Sequence, residues 1–453
     1  MLSALHTIIS LAVVALLVSN LPAPAAQSNN QQPSPVDQTP SLHANVRQVL
    51  VPVVVTDKQG HYVTDLKPSD FRVFENGTPE TIVAFYADNS GTPAVTAPSK
   101  SAPAAAEAKT ASPQPEPSAN PKRTYLVLID TLHSSFGNFS NVRKALTKFF
   151  EREQSPDSRY SLMTIGRDLQ VVQDSTPDPA LILSALRSQQ FQKSILQSET
   201  NNTSVEVSQF TGLVGAYCAA CGCQGITPSG EAQLACPQLT ARVRSTLIRV
   251  PERNDVLDQG FLQQLKRLVN AMASMPTART VIFLSDGFNR FPGQELYGIF
   301  QAAMPNERSF AVNPRDTHSE FDAILRIAVR YDVKFYTLDS RGLYTNNSFA
   351  GSSLDVSNWG TPSSAIDNQT MATARANTDA LSALAHETGG LFFENNNDLL
   401  KGLRRAFSDG RQYYTLAYVP VNKNFDGKYR TIHVEVKGKG MLVHAKPGYW
   451  ATN

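Results

Sequence analysis

Unbroken apolar runs recur in the middle of the chain, at Tyr125 to Ile129 and Val281 to Leu284, and a further strand is expected at Val333 to Leu338. A run that does not alternate is what a parallel strand looks like when helices cover both its faces. Between these runs the apolar positions switch to a helical period. Val142, Ala145, Leu146, Phe149 and Phe150 share one helical face, as do Phe261, Leu262, Leu265, Leu268, Val269, Met272 and Met275. Helical patterns also cover Pro179 to Leu186, Phe321 to Val329, Leu381 to Ala385 before Gly389-Gly390, and Leu399 to Phe407, with Asn397 as N-cap and Asp398 in the first turn. Short strands are expected at Tyr160 to Ile165, Leu169 to Val172 and Leu391 to Phe393. This βα alternation predicts an α/β fold with a doubly wound, mostly parallel sheet over 123–410.

Both flanks are β instead. Val49 to Val55, Phe71 to Glu75 and Thr81 to Tyr86 are strand-like, and Asn76-Gly77 is a hairpin signal because both residues tolerate the positive φ of a type I′ turn. At the other end, Tyr413 to Val419, Tyr429 to Val436 and Met441 to Ala445 read as strands. Ile432, Val434 and Val436 alternate there with His433, Glu435 and Lys437, which gives one buried and one wet face. Three or four strands cannot bury both faces alone. The two blocks, 44–89 and 411–450, are therefore expected to form one split β-sandwich with the α/β domain inserted between its halves.

Three stretches break the α/β pattern, at 190–253, 291–318 and 343–373. The first holds all four cysteines and reads as a polar insertion organised by something other than a conventional core. The other two follow strands, so they wall the same sheet edge. Before the β block, Ile8 to Val18 is too short to span a bilayer and is followed by Ala23-Pro24-Ala25-Ala26, which reads as a secretory signal over 1–26. A polar tether is expected over 27–43. A linker of Ala, Pro, Ser, Thr and Lys is expected over 90–122, since such a stretch cannot offset the entropy of ordering.

With 453 residues there is ample chain for a hydrophobic core. Lys plus Arg, at 41, nearly cancels Asp plus Glu, at 39, so the overall charge points neither to nucleic acid nor to an anionic membrane surface. No Gly-x-Gly-x-x-Gly or phosphate-loop motif supports nucleotide binding. Cys218, Cys221, Cys223 and Cys236 have a spacing that zinc could accept. In an exported chain the oxidising compartment favours two disulfides, in any of three pairings.

The first two apolar runs end in candidate chemistry, Asp130-Thr-Leu-His-Ser134 and Ser285-Asp286-Gly287. Ligands of open parallel sheets bind beyond the carboxyl ends of the strands, and two aspartates delivered to that edge suggest a cation site of oxygen ligands. The pair of turns resembles the von Willebrand factor type A domain, a Rossmann-type fold. In that family Asp-x-Ser-x-Ser, a distant Thr and an Asp hold a divalent ion, usually magnesium, whose open position takes a partner's carboxylate. The resemblance carries Asp130 and Ser134 over as the first and last motif members and Asp286 as the second carboxylate, for Mg²⁺ or Ca²⁺ bound weakly. Leu132 replaces the middle serine and offers no lone pair, so the site is one ligand short. Thr203, Thr240 and Thr246 are the candidates for the threonine. The flanks Asp70-Phe-Arg-Val-Phe-Glu-Asn-Gly77, Thr388-Gly-Gly-Leu-Phe-Phe393 and Lys446-Pro-Gly-Tyr449 resemble a secreted bacterial group, abundant in acidobacteria, that carries a divergent domain of this type.

The resemblance implies an exported, non-enzymatic binding or adhesion protein, periplasmic, cell-surface or extracellular, whose partner is a protein or an envelope component. The alternative is an exported hydrolase using His133, Ser134 or Asp286. No Gly-x-Ser-x-Gly elbow supports it.

Overall fold

A computed structural model describes residues 47–89, 123–152, 158–199, 203–223, 227–228, 230–275, 279–288, 290–303, 317–342, 363–394, 396–409 and 412–452. The expected signal (1–26), tether (27–43) and linker (90–122) lie outside the described residues, as do 304–316 and 343–362 of the expected insertions. The chain opens with β1 (Val49–Thr56), β2 (Phe71–Glu75), β3 (Thr78–Glu80) and β4 (Ile82–Asn89). The α/β region follows with β5 (Arg123–Asp130), α1 (Phe136–Arg152), β6 (Ser158–Ile165), β7 (Leu169–Thr176) and α2 (Pro179–Arg187).

A helical stretch then runs through α3 (Gln189–Glu199), α4 (Thr203–Cys221), α5 (Gly230–Gln233) and α6 (Cys236–Ala273). Alternation resumes with β8 (Arg279–Ser285), α7 (Gln294–Ala303), α8 (His318–Arg330), β9 (Val333–Asp339), α9 (Ser363–Thr388), β10 (Phe392–Phe393) and α10 (Leu399–Asp409). The chain closes with β11 (Gln412–Tyr418), β12 (Tyr429–Val436), β13 (Leu442–Ala445) and β14 (Gly448–Trp450).

The central sheet has six strands in the order β10-β9-β8-β5-β6-β7, all parallel except β7, which runs antiparallel to β6. Its core explains the unbroken runs. Tyr125, Val127 and Ile129 of β5 face a cluster with Phe139, Leu146 and Phe149 of α1 and Leu403 and Phe407 of α10. Leu126 and Leu128 face the opposite cluster, with Phe261, Leu265 and Val269 of α6 and Phe321 and Ile324 of α8. A strand buried on both faces needs apolar residues at every position, so period two disappears. From β5 the chain steps to β6 on one side and returns to β8 on the other, which puts the reversal of strand order at the carboxyl end of β5.

The insertion at 190–253 departs from expectation, because it has a core of its own. Phe210, Val214 and Tyr217 of α4 pack with Val243, Leu247 and Val250 of α6 and with Leu296, Ile299 and Phe300 of α7. The α6 residues keep a three-to-four spacing, but Pro251 sits inside that helix and reads in sequence as a break. In α4, apolar and small residues surround the whole helix, so no stripe marks its buried side.

The terminal strands interleave. One four-stranded sheet runs β13-β1-β11-β4 and another runs β14-β12-β2-β3, so each draws strands from both ends of the chain. Val51 lies opposite Leu416 and Val73 opposite Val434, all four in one apolar cluster. The Asn76-Gly77 turn forms as expected, with φ of 48° and 80°. Its partner strand is corrected, since the turn joins β2 to β3 and not to the strand at Ile82. Pro79 fits β3 because that strand is an edge. The cap of α10 also moves by one residue: the Asp398 side chain accepts from the Lys401 amide at 3.1 Å, which makes Asp398, not Asn397, the N-cap.

Candidate functional site

Three adjacent strands end at one edge in acidic side chains, Asp130 as the last residue of β5, Asp286 just after β8 and Asp339 as the last residue of β9, each at most 9 % exposed. The turn after β5 folds back on its own carboxylate. Asp130 Oδ1 accepts the amides of Leu132 at 2.9 Å and His133 at 3.0 Å, while Oδ2 accepts the Ser285 hydroxyl at 2.7 Å and faces His133 Nδ1 at 2.9 Å. The far ring nitrogen, His133 Nε2, lies 2.9 Å from Oδ1 of Asp258 on α6. The ring packs edge-on to Phe261, at 4.7 Å between centroids, and beside Phe288. Burial alone would push this imidazole towards neutrality. The contact with Asp130, aided by Asp258, outweighs it and lifts the ring to about 10.

Asp286 is held as completely. Its Oδ2 accepts the Ser135 amide at 2.9 Å and the Asn138 side-chain amide at 2.8 Å, and its Oδ1 accepts the Ser340 hydroxyl at 2.5 Å. The Asp286 amide in turn donates to Ser134 Oγ at 3.2 Å. Burial raises this carboxyl to about 6 against the hydrogen bonds from Ser340, Ser135 and Asn138 that lower it. Gly287 follows with φ of 89°, and a Cβ there would lie 2.3 Å from the Asn377 carbonyl oxygen, so only glycine lets this turn pass under α9. Asp339 is clamped by Arg341, from Nε at 2.9 Å and from a terminal guanidinium nitrogen at 2.8 Å.

The structure places Asp130, Ser134 and Asp286 at one sheet edge, where Ser285 links the Asp286 turn to Asp130 and Ser134 accepts the Asp286 amide. Leu132 points the other way, 4 % exposed within the apolar cluster under α6. Of the three threonines, Thr240 donates to the Cys236 carbonyl at 2.8 Å among the cysteines, and Thr203 and Thr246 lie on α4 and α6. The helix α6 contributes Asp258 instead. Sequence reasoning missed Asp258, Asn138 and Ser340, and named Ser285 only as part of the turn that carries Asp286. Only Asp339-Ser340 carried a signal, since Val333 to Leu338 ends in Asp-Ser much as the other runs end in Asp or Ser-Asp.

A divalent ion needs free oxygen lone pairs converging on one point, and Mg²⁺ asks for near-octahedral geometry. Here the four oxygens of Asp130 and Asp286 accept seven hydrogen-bonding contacts from protein groups, and Leu132 supplies nothing. The donor set, as arranged, does not fit the ion. Among the described residues, no group of three or more His, Cys, Asp or Glu is placed to hold a metal.

The four cysteines form the bridges Cys218–Cys223 and Cys221–Cys236. They tie the end of α4 to the loop after it and to the start of α6.

No family profile and no curated protein matches the sequence. Among solved structures, the chain is similar to the von Willebrand factor domain of the type V pilus tip protein Mfa5 from Porphyromonas gingivalis. That match has 12 % identity over 65 % of this chain and 98 % of that one, with a TM-score of 0.27. The PilB minor pilin from Streptococcus sanguinis matches at 12 % identity over 65 % of this chain and 61 % of that one, with a TM-score of 0.27. Proximal thread matrix protein 1 from the mussel byssus matches at 11 % identity over 66 % of this chain, with a TM-score of 0.27; the chain spans about half of its length, 48 %. The α/β architecture, a mostly parallel six-stranded sheet beside antiparallel sheets, rests on the strand pairings above.

Proposed function

We propose that this chain is an exported, non-enzymatic binding or adhesion protein, in which a von Willebrand factor A-like domain, carried on a β-sandwich split between the two ends of the chain, presents its carboxyl-end edge to a protein or envelope ligand. The observation that carries the reading is the state of that edge. Its carboxylates are buried and hydrogen-bonded to protein groups, so they hold the loops in place and offer no base or nucleophile to a substrate. Both ring nitrogens of His133 are engaged with carboxylates, Asp130 and Asp258, so neither is turned to Ser134, whose Oγ already accepts the Asp286 amide. Recognition would then fall to the rim. Phe136 opens α1 just beyond Ser135 and is 50 % exposed, and Val256, two residues before Asp258, is 68 % exposed.

Two disulfides support export, because such bonds persist in oxidising compartments. The sandwich reading is supported by the shared apolar cluster of β1, β2, β11 and β12. The test compares the wild type with Phe136→Asp and Val256→Asp for capture of a crosslinked partner from envelope extract, together with a broad hydrolase screen. Capture by the wild type that is lost in a rim variant is expected. Turnover abolished by Ser134→Ala or His133→Ala would overturn the reading in favour of an enzyme.

A further inference from the structure

The edge holds a charge problem that its own side chains solve. Asp130 and Asp258 come from elements 128 residues apart in sequence and converge on one imidazole, each within 2.9 Å of a ring nitrogen. Two carboxylates brought this close repel unless a cation or a proton lies between them. A neutral imidazole has one N–H and one lone pair, so it could satisfy only one of the two carboxylate oxygens and would set its lone pair against the other. With both carboxylates ionised, the ring must supply two N–H donors.

We infer that His133 is the built-in cation of this sheet edge, filling between Asp130 and Asp258 the place that a divalent ion would need in order to join β5 to α6. The surroundings fit this role. The turn amides of Leu132 and His133 and the Ser285 hydroxyl complete the shell of Asp130. Phe261 and Phe288 pack against the ring and fix its plane. Leu132, where a metal-binding turn would want an oxygen, turns into the core because no ligand is needed from it. The inference stands apart from the binding reading, since a metal-free edge is compatible with capture of a partner or without it.

The test uses the full chain and no partner. Calorimetric titration with MgCl₂ and with CaCl₂, and thermal unfolding with divalent ion or with EDTA, are run on the wild type, His133→Ala and Asp258→Asn. The wild type should bind neither ion saturably and should unfold at one temperature in all conditions. His133→Ala leaves two facing carboxylates around a hole. Its Tm should fall by roughly 5–10 °C and should recover in part with millimolar divalent ion or imidazole. Asp258→Asn keeps the His133–Asp130 contact and should stay indifferent to metal. Nitrogen-15 shifts of the His133 ring in the wild type near neutral pH give a reading that does not depend on any variant folding, and both nitrogens should carry protons. Saturable binding of either ion by the wild type, a His133→Ala protein that folds but responds to neither additive, or a bare ring nitrogen would each overturn the inference.

Discussion

His444, on β13, is the histidine whose environment runs opposite to that of His133. Its Nε2 is buried without a hydrogen-bond partner among the described residues. Burial, reinforced by the nearby Lys334 and His386, pushes the ring down from 6.5 to about 4. The folded protein therefore keeps this ring neutral at pH values where the unfolded chain has protonated it. The contribution to stability is complete above about pH 6.5 and is lost as pH falls through 4, with a ceiling of about 3 kcal/mol for one such group. In His444→Gln the group is absent, so the stability difference between wild type and variant should shrink between pH 7 and pH 4. Denaturant unfolding at several pH values measures it, and parallel curves would show that His444 does not titrate in this way. At this scale the sequence was legible where function is written locally. Asp130 and Asp286 could be read at the ends of apolar runs, and their turns are tied by the Ser285 hydroxyl to Asp130 and by the Asp286 amide to Ser134. Asp258 could not, because nothing near it in the chain says that α6 passes over the turn at His133.

Between elements, the disulfides show what spacing decides and what it leaves open. An exported chain with four cysteines predicts two bridges but allows three pairings, and the folded chain selects Cys218–Cys223 and Cys221–Cys236. The selection follows from α4 ending where α6 begins. Cys221 sits at the last residue of one helix and Cys236 at the first residue of the other. Protein recovered from an oxidising compartment should alkylate at no cysteine before reduction and at four after it, and peptide mapping should recover these two pairs. Opening the longer loop with Cys221→Ser and Cys236→Ser should remove about 2–3 kcal/mol from the helical insertion. Hydrogen exchange over α4 and the first half of α6 would show it, whereas β5 and β8, held by the central sheet, should keep their protection. Unchanged exchange in α4 would mean that the insertion's own apolar cluster suffices without the staple. That cluster was the least legible part of the fold. A proline inside α6 and a helix apolar on all sides each remove the periodic signal that exposed α1 and the second half of α6 so plainly.

Across the whole molecule, the two chain ends are bound by burial and by charge. Arg430 on β12 is 2 % exposed and pairs with Glu75 on β2 at 2.8 Å, while the Tyr418 and Tyr449 hydroxyls donate to the other Glu75 oxygen at 2.7 and 2.9 Å. A charge pair this deep is stable only with its full set of partners, and those come from both termini. The seam with the α/β region is built the same way. Tyr62 donates to Asp409 at the end of α10 at 2.6 Å, and Arg405 donates to the Gly60 carbonyl at 2.7 Å. That the two β blocks belong together was legible from their size, since neither could bury its faces alone. It hid the interleaving, because period two marks which face is buried and not which strand lies next door. Interleaving makes the closing strands central. β11 lies between β1 and β4, and β12 lies between β14 and β2. Leu416, fully buried on β11 opposite Val51, is the point where a small change reaches both ends. Leu416→Ala should cost about 2–5 kcal/mol and should raise hydrogen exchange in β1 and β4 together, although both are hundreds of residues away in sequence. Removal of 412–453 should go further and leave β1 without either of its neighbours, β11 and β13. If the truncated protein kept full protection over Val49–Thr56 and Ile82–Asn89, those strands would be stable on their own and the joint two-sheet body would have to be abandoned.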